Sequence, residues 1–353
     1  MEEKNRKKCA KRGLRIAAAI ISSIMLLCFL ATGISAEGRE HSYEGKKLCV
    51  GGFAFGVRFG TSGVFVVSVG GVISGERELT PALDAGVHPG DIIKKVNGQE
   101  INTSAEFSEA IAKSDGKVTL ALERNGSEMT VTLTPVKEDV TGVYKAGIEI
   151  KDSMAGIGTV TYVDAETGAF GGLGHGICDP STGILMPLKK GSAMQVEIGG
   201  VVKGKVGKPG EIKGYFLSER TGNVVSNTLC GVFGYFSTLP TLSEPIPIGT
   251  RNEAKDGKAT IRCTLGNDGV KEYEVEISRI DRNGTDNKNF AITVTDKTLI
   301  ERTGGIIQGM SGSPIIQDGK LIGAVTHVLV NDPTRGYGIL IENMLNQSEA
   351  QTK

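Results

Sequence analysis

A short glycine-rich stretch near the C-terminal end, residues 304–314, constrains this chain more than any other feature. It reads GGIIQGMSGSP, and Ser311 has a glycine two residues before it and another directly after it. Glycine adopts positive φ at no steric cost, so these flanks permit a sharp turn around an exposed hydroxyl. Nucleophilic chemistry at a serine needs such a turn, with free backbone N–H groups beside it. Ser311 is therefore a candidate nucleophile, and a plain surface turn is the alternative.

The residues after this turn predict a β-hairpin. Ile315 and Ile316 begin an apolar run, Asp318-Gly319 is a two-residue turn signal, and residues 321–330 are a second apolar run. A serine turn that leads into a hairpin resembles the nucleophile region of chymotrypsin-like peptidases. Ser313 is a competing hydroxyl, but Pro314 follows it directly and favours a role in shaping the turn.

Charge is unevenly distributed along the chain. The 353 residues have no net charge, yet residues 1–15 hold seven Lys or Arg against two Glu, which makes +5. The rest of the chain therefore carries −5. No basic face for nucleic acid is expected in it.

An uncharged, mostly apolar run, residues 16–34, follows the basic head. Nineteen helical residues span about 28 Å, close to the thickness of a bilayer core. Basic residues before an apolar run are typical of an export signal and of a cytoplasmic N-terminus. We expect residues 1–36 to be a basic head with a signal-anchor helix, cleaved after Ala36 or retained in the membrane. Residues 37–46 are then an exported, exposed linker.

The region from 47 to 137 resembles a PDZ domain. The supporting motif is ALDAGVHPGDIIKKVNG at residues 82–98. The resemblance implies that a glycine-rich loop before a strand presents backbone N–H groups to a peptide, which adds to the sheet edge. That loop would contain Gly51, Gly52, Phe53, Ala54, Phe55, Gly56 and Val57. The loop departs from the usual GLGF form, which binds the C-terminus of a peptide. Binding of an internal peptide segment is therefore an alternative. His88 is expected to lie in a surface turn.

Residues 138–345 are expected to be mainly β structure, ahead of a polar tail at 346–353. Short β-branched or alternating runs recur between turn signals such as Asp256-Gly257 and Asn283-Gly284. Many short strands over about 200 residues indicate one or two small β-barrels. The overall fold class is therefore mainly β.

A serine nucleophile needs a base, and the histidine choices are few. His41 lies in the linker and His88 in the PDZ-like turn. His175 lies between two glycines after an apolar run, where the chain can approach another segment closely, and it is the preferred base. His327 lies within an apolar strand and is the fallback.

Local chemistry does not choose the carboxylate that would orient the base. The candidate aspartates are Asp152, Asp164, Asp179, Asp281, Asp286 and Asp296. Asp296 is one candidate for this role, because it follows a predicted strand and precedes the nucleophile turn.

Taken together, these segments resemble the stage IV sporulation protein B peptidases. The basic head, the PDZ-like region, GGLGHG at 171–176 and the stretch from 304 to 339 all contribute to the likeness. The resemblance implies a chymotrypsin-like double barrel with Ser311, His175 and Asp296 as the catalytic residues. The backbone N–H groups of Gly309 and Ser311 would form the oxyanion hole, and no cofactor is implied.

The resemblance also implies a biological role. Such proteins are exported to the space between the two forespore membranes and cleave themselves. They then cut a membrane-bound regulator of the metalloprotease that processes the late mother-cell sigma factor. The partners expected here are protein substrates, a peptide bound by the PDZ-like region, and the membrane through residues 16–34.

Several other functions remain open from sequence. The first is a membrane-tethered PDZ adaptor with a silent barrel, and the second is a general envelope quality-control protease. A cysteine hydrolase would use Cys178, three residues after His175. A metal site would need His175 with Cys178, Cys230 and Cys263, but their spacing is not that of known ligand sets, so no metal is expected. Either one or two disulfides among Cys49, Cys178, Cys230 and Cys263 or four free buried thiols would be compatible with the sequence.

Overall fold

Short apolar runs between glycine turns form strands throughout the chain, as the sequence predicts. The structure is a computed structural model that describes residues 43–350. The expected head and signal-anchor helix, most of the linker, and residues 351–353 lie outside the described residues. Within 43–350, no helix is both long and apolar enough to cross a membrane.

The first half of the described chain contains eleven strands and two helices. The strands are β1 (Lys47–Val50), β2 (Ala54–Val69), β3 (Val72–Ser74), β4 (Arg77–Leu79), β5 (Ile92–Val96), β6 (Gln99–Glu100), β7 (Val118–Arg124), β8 (Ser127–Leu133), β9 (Val136–Lys137), β10 (Tyr144–Lys145) and β11 (Ile148–Val163). The helices are α1 (Pro81–Asp84) and α2 (Ser104–Ala112).

The second half contains the remaining elements. The strands are β12 (Ala169–Gly172), β13 (Lys190–Val202), β14 (Glu211–Thr228), β15 (Gly231–Phe236), β16 (Pro245–Pro247), β17 (Gly257–Thr264), β18 (Val270–Ser278), β19 (Phe290–Val294), β20 (Pro314–Gln317), β21 (Lys320–Leu329) and β22 (Asp332–Leu340). The helices are α3 (Lys297–Thr303) and α4 (Ile341–Ala350).

A first barrel closes through six antiparallel strand pairings. Strand β2 pairs with β11, β11 with β12, and β12 with β15. Strand β15 then pairs with β14, β14 with β13, and β13 with β2, which completes the ring. Buried side chains that include Phe55, Val57, Val160 and Phe170 fill its core. Closure gives every strand of the ring two neighbours, although the long strands β11 and β14 each include a segment that pairs on one edge only.

A second barrel has the strand order β17-β18-β19-β22-β21-β20 and is also closed. In β18, Tyr273, Val275 and Ile277 are buried, while the glutamates between them are exposed. This alternation follows from the two-residue period of a strand that has one face in the core. The expected pair of β-barrels is therefore confirmed.

A PDZ-like module, residues 61–152, is inserted into a hairpin of the first barrel. Strands β2 and β11 are each 16 residues long and pair from Val69–Ile148 to Ala54–Thr159. Their outer ends belong to the module, whose separate core contains Ile93, Phe107 and other apolar residues. Strand β1 and the first half of β2 pair within the first barrel and its edge. The expected PDZ boundaries at residues 47 and 137 stay a prediction.

Candidate active site

Ser311 lies in a turn that backbone contacts fix from both barrels. The N–H of Gly312 donates to the carbonyl of Val325 at 2.8 Å, and the N–H of Thr159 donates to the carbonyl of Ser311 at 2.9 Å. Two hydroxyls on β11 add to this, since Thr159 and Thr161 donate to the carbonyls of Gly309 and Gly312. The first barrel therefore holds the backbone of the nucleophile turn in place.

Glycine is required directly after the serine. Gly312 has φ of +91°, and a Cβ there would lie 2.0 Å from the carbonyl oxygen of Thr159 and 2.4 Å from the nitrogen of Leu173. Real Cβ atoms do not approach backbone this closely. The absent side chain lets the serine turn and the turn that precedes His175 pack directly on each other.

His175 follows β12 in a turn with unusual backbone conformations. Leu173 has φ of +63° and Gly174 has φ of +66°. A Cβ at Gly174 would lie 2.9 Å from the methyl group of Thr326. The hydroxyl of Ser311 donates to the carbonyl oxygen of the same residue, Thr326, at 3.0 Å. The structure thus brings the serine turn and the histidine turn together at one residue of β21.

That shared residue is an extra residue in its strand. In the pairing of β21 with β22, Val325 is opposite Gly338 and His327 is opposite Tyr337, so Thr326 forms a β-bulge. Bulges bend the strand locally and redirect its groups. Here the carbonyl of the bulged residue, Thr326, accepts a hydrogen bond from the Ser311 hydroxyl. Before a reaction can start, the hydroxyl must leave this carbonyl and form a hydrogen bond to the base.

The environment of His175 suits a general base. Its Nδ1 atom lies 2.8 Å from the carbonyl oxygen of Gly176. If Nδ1 donates that hydrogen bond, Nε2 carries the lone pair that accepts a proton. Burial lowers the pKa of His175, and the hydrogen bond to the carbonyl of Gly176 opposes this only in part. The ring is therefore neutral near pH 7.

The two amides of the expected oxyanion hole are available. Within residues 43–350, neither the N–H of Gly309 nor that of Ser311 donates a hydrogen bond to another group. Gly309 has φ of +97°, a conformation that L side chains rarely adopt. Unpaired amides beside a nucleophile are the donors that a tetrahedral oxyanion needs.

Asp296 lies at the start of a helix and not beside the imidazole. Its carboxylate accepts the N–H of Leu299 at 2.8 Å and lies 3.4 Å from the N–H of Glu274. This is an N-cap of α3. No contact within the described part of the chain joins Asp296 to His175. The orienting role of Asp296 stays a prediction, and the carbonyl of Gly176 holds the ring in this conformation.

The other aspartates named from sequence are also engaged elsewhere. Asp179 forms an ion pair with Lys151 at 2.7 Å. The remaining four accept hydrogen bonds from nearby backbone amides in turns or at a helix start: Asp152 from Ser104, Asp164 from Glu166 and Thr167, Asp281 from Asn283 and Gly284, and Asp286 from Lys288. The contacts of Asp164, Asp281 and Asp286 are local turn hydrogen bonds, whereas those of Asp152 and Asp179 depend on tertiary structure.

We expect Asp296→Asn to distinguish a cap from a catalytic acid. Asparagine caps helices as well as aspartate does, so the variant should keep its stability and keep turnover within a few-fold of the wild type. An aspartate that orients the base would instead lose about 10⁴-fold in kcat on the same change. Steady-state peptide hydrolysis decides between them. Asp296→Ala is the matched variant for the cap, and it should lose about 1 kcal/mol of stability at unchanged active-site chemistry.

His327 is the second histidine of the site. Its ring centroid lies 5.1 Å from that of His175, at an interplanar angle of 37°. Its Nδ1 atom is buried and has no hydrogen-bond partner within the described residues. Burial, with smaller contributions from His175 and Lys288, lowers the pKa of His327 to about 4. His327, the alternative base predicted from sequence, is therefore an uncharged side chain that lines the site.

These two histidines should make stability depend on pH. Their pKa values are lower in the folded chain than the ordinary 6.5, so the unfolded chain binds more protons between pH 6.5 and about 4. Stability is then lost as pH falls through this window. We expect His327 alone to contribute about 1–2 kcal/mol of loss between pH 7 and pH 5, measured by urea unfolding. His327→Gln should flatten the dependence, and an unchanged dependence in this variant would contradict the prediction.

The cysteine alternative does not fit the structure. The four cysteines of the described chain are free thiols. Burial raises the pKa of the Cys178 thiol, and its sulfur lies 3.8 Å from the carbonyl oxygen of Gly176. A catalytic thiol needs the opposite shift, because the thiolate is the nucleophile.

The predicted peptide-binding loop has a different environment from the one expected. Gly56 and Val57 pair with β11 on one edge and with β13 on the other. A Cβ at Gly51 would lie 2.1 Å from the carbonyl oxygen of Val160. Residues 51–57 therefore start the first barrel, and no peptide can add to an edge that is already paired. The PDZ motif at residues 82–98 lies in the PDZ-like module, whereas the glycine-containing segment before it, residues 51–57, lies in the first barrel.

An open groove lies next to Gly309. It has a volume of about 600 Å³, and its lining includes Gln308, residues 155–157 of β11 and residues 211–216 of β14. Residues 155–157 of β11 have one edge without a strand partner in the described chain, whereas the second edge of β14 is bridged at Glu211 by Gln308 and has no strand partner at residues 213–216. An extended peptide can add to such edges.

Comparison with known sequences assigns a family. A model of the SpoIVB peptidase S55 family matches residues 142–345, and a PDZ domain model matches residues 38–134. Serine protease HTRA1 of Xenopus laevis is 35% identical over 75 residues, which cover 21% of this chain and 15% of that protein. A putative zinc metalloprotease of Helicobacter pylori is 34% identical over 106 residues, which cover 26% of this chain and 30% of that protein. The chain thus spans less than a third of the length of these relatives.

Solved structures give weaker matches. The Rv3671c protease of M. tuberculosis, in its active form, is 15% identical, with 56% of this chain and 74% of that chain covered at a TM-score of 0.35. The PDZ domain of an SdrC-like protein from Listeria monocytogenes is 24% identical, with 25% and 87% covered at a TM-score of 0.21. The double-barrel assignment depends on the strand pairing described above.

Two closed barrels, a serine turn packed against a histidine turn, and a PDZ domain define the class as a two-barrel protein that carries a PDZ domain and a candidate serine–histidine site. The chain belongs to the SpoIVB peptidase S55 family, whose model covers more than half of it. The family resemblance drawn from the motifs is confirmed.

Proposed function

We propose that this chain hydrolyses peptide bonds in protein substrates, with Ser311 as nucleophile and His175 as general base. One observation carries the proposal: Gly174 and Ser311 both contact Thr326, so the two turns meet at one residue. The unpaired amides of Gly309 and Ser311 beside them supply an oxyanion hole. Family membership supports the same chemistry.

The proposed mechanism begins when the Ser311 hydroxyl leaves the carbonyl of Thr326. Nε2 of His175 takes its proton as Oγ attacks the peptide carbonyl, and the two amides hold the oxyanion. His175 then gives the proton to the leaving amine, and the acyl-enzyme forms. A water molecule, deprotonated by the same ring, releases the acyl group and restores Ser311. The groove beside Gly309 accommodates one side of the extended substrate.

The biological role proposed here is signalling during sporulation. The chain would be exported across the forespore inner membrane, with residues 16–34 as an anchor at least before processing. It would cleave itself, and then a membrane-bound regulator of the metalloprotease that processes a sigma factor. Support comes from the family match and from the basic head before an apolar run. A general envelope quality-control protease is the second candidate, since a segment of this chain is similar to HTRA1.

Labelling with a fluorophosphonate tests the proposed chemistry directly. The full chain in detergent should form one covalent adduct on Ser311, located by peptide mass spectrometry, and Ser311→Ala should form none. Self-processing by the wild type but not by this variant, read by intact mass, would support the signalling role. An unlabelled Ser311 in folded protein would instead support a PDZ adaptor with a silent barrel.

A further inference from the structure

Three cationic side chains surround a small cavity on the second barrel. The cavity has a volume of about 80 Å³, and its lining includes Arg279, Lys288, Arg335, Leu329 and Tyr337. None of its eight lining residues is acidic. A space of this size suits a carboxylate group and not a large side chain.

These three cations lack a protein counter-charge. Within residues 43–350, Arg279, Lys288 and Arg335 form no ion pair with a carboxylate. The nearest partner of the Lys288 ammonium is the ring of Tyr337, whose centroid is 5.6 Å away. Arg279 and Lys288 are exposed and Arg335 is half-buried, so solvent partly screens their charges. A carboxylate bound among three cations would still be attracted to each of them.

The cavity adjoins the catalytic histidine through two paired strands. Tyr337 is the strand partner of His327, and the ring of His327 lies 5.1 Å from that of His175. The charge of Lys288 contributes to the low pKa of His327, which places the two groups within electrostatic reach. The cationic cavity is therefore one strand pairing away from His327, whose ring lies beside that of His175.

A substrate has a free strand edge along which to reach the cavity. Strand β20 pairs with β21 only as far as Ala324, so residues 327–329 have one edge without a strand partner in the described chain. An extended peptide added there advances about 3.3 Å per residue. Leu329 lies three residues beyond Thr326, about 10 Å along the strand. Leu329 lines the cavity together with residues of β22, which pairs with the other edge of β21. A side chain two to four residues from the cleaved bond that points across β21 would therefore approach the cavity.

We propose that Arg279, Lys288 and Arg335 form a subsite that selects an acidic side chain on the substrate, two to four residues before the cleaved bond. This inference rests on the proposed peptidase function and names the substrate class for the same site. The charge contact would favour Glu or Asp over Gln or Asn by about threefold to tenfold in kcat/KM. Because the cavity is partly open, the preference should weaken as salt is raised.

Digestion of a defined peptide library by the full chain in detergent tests the subsite. Cleavage sites are read by mass spectrometry, with Ser311→Ala as the blank. Acidic residues should be enriched at one position between the second and fourth before the cut. Lys288→Gln and Arg335→Gln should remove that enrichment, and Lys258→Gln, which removes an exposed charge elsewhere on the barrel, should leave it unchanged.

The outcomes separate this inference from the function on which it rests. Cleavage without acidic enrichment, or enrichment that survives in both cavity variants, overturns the subsite and leaves the peptidase intact. If the wild type cleaves no more than the blank, the peptidase proposal fails, and binding decides the subsite. A labelled nonapeptide with one central Glu should then bind Ser311→Ala at least threefold more tightly than its Gln counterpart, by fluorescence anisotropy. Equal binding overturns the subsite.

Discussion

Ser311→Ala and His175→Ala are each expected to lower kcat for peptide hydrolysis by about 10⁶-fold, and the double variant should be no slower than either single one. The two groups share one proton transfer, so removing either removes the whole step. A residual rate of about 10³–10⁴-fold over water should survive, because the amides of Gly309 and Ser311 remain in place. Steady-state kinetics with a substrate cut by the wild type measures all three.

Ser313→Ala is the matched control for this prediction. Ser313 lies two residues from the nucleophile and is fully buried, and its hydroxyl has no hydrogen-bond partner within the described residues. Removing an unsatisfied buried hydroxyl should leave both turnover and stability near those of the wild type. Full activity in Ser311→Ala, or a loss in Ser313→Ala as large as that of Ser311→Ala, would contradict the assignment of the nucleophile.

Gly312→Ala is expected to have the largest effect on stability. Its Cβ would overlap the carbonyl oxygen of Thr159 and the nitrogen of Leu173, which are backbone atoms that no rotamer change can move. The two barrels would have to separate locally at the active site. We expect a loss of more than about 4 kcal/mol, seen as a fall in Tm of about 8 °C or more, with no detectable turnover.

Gly319→Ala separates this clash from backbone strain alone. Gly319 also has positive φ, at +74°, but a Cβ there would meet no atom within 4 Å. The control should lose only about 1 kcal/mol and keep its activity. Equal losses in the two variants would show that conformation, and not the contact between the serine and histidine turns, makes Gly312 necessary.

The parts of the site with strong local signals were predictable from sequence. Glycines around Ser311 and His175 mark turns, and Gly174, Gly309 and Gly312 have the positive φ that favours glycine. The structure brings these two turns into contact. His175 is preferred as the base because it lies between two glycines and matches the family motif, and this role stays a prediction. Alternating apolar residues, as in β18, predict strands and hence barrels.

The parts that depend on distant partners were not predictable in the same way. Gly51 and Gly56 resemble a peptide-binding loop, but the strands that cover their edges come from β11 and β13, far along the chain. Asp296 has the residue type of a catalytic acid and equally that of a helix N-cap, and only the position of α3 shows the second use. The cationic cavity draws on three separate segments, so no local motif reveals it.

The insertion of the PDZ-like module also bears on how the chain folds. The first barrel cannot close until β2 meets β11, and Gly60 pairs with Ser153 across the whole module. Bringing together such distant segments costs loop-closure entropy and slows folding. The module has its own core and its own short-range pairings, so it can form first. Once folded, it holds the ends of β2 and β11 side by side, and the remaining strands of the barrel need only extend a ladder that already exists.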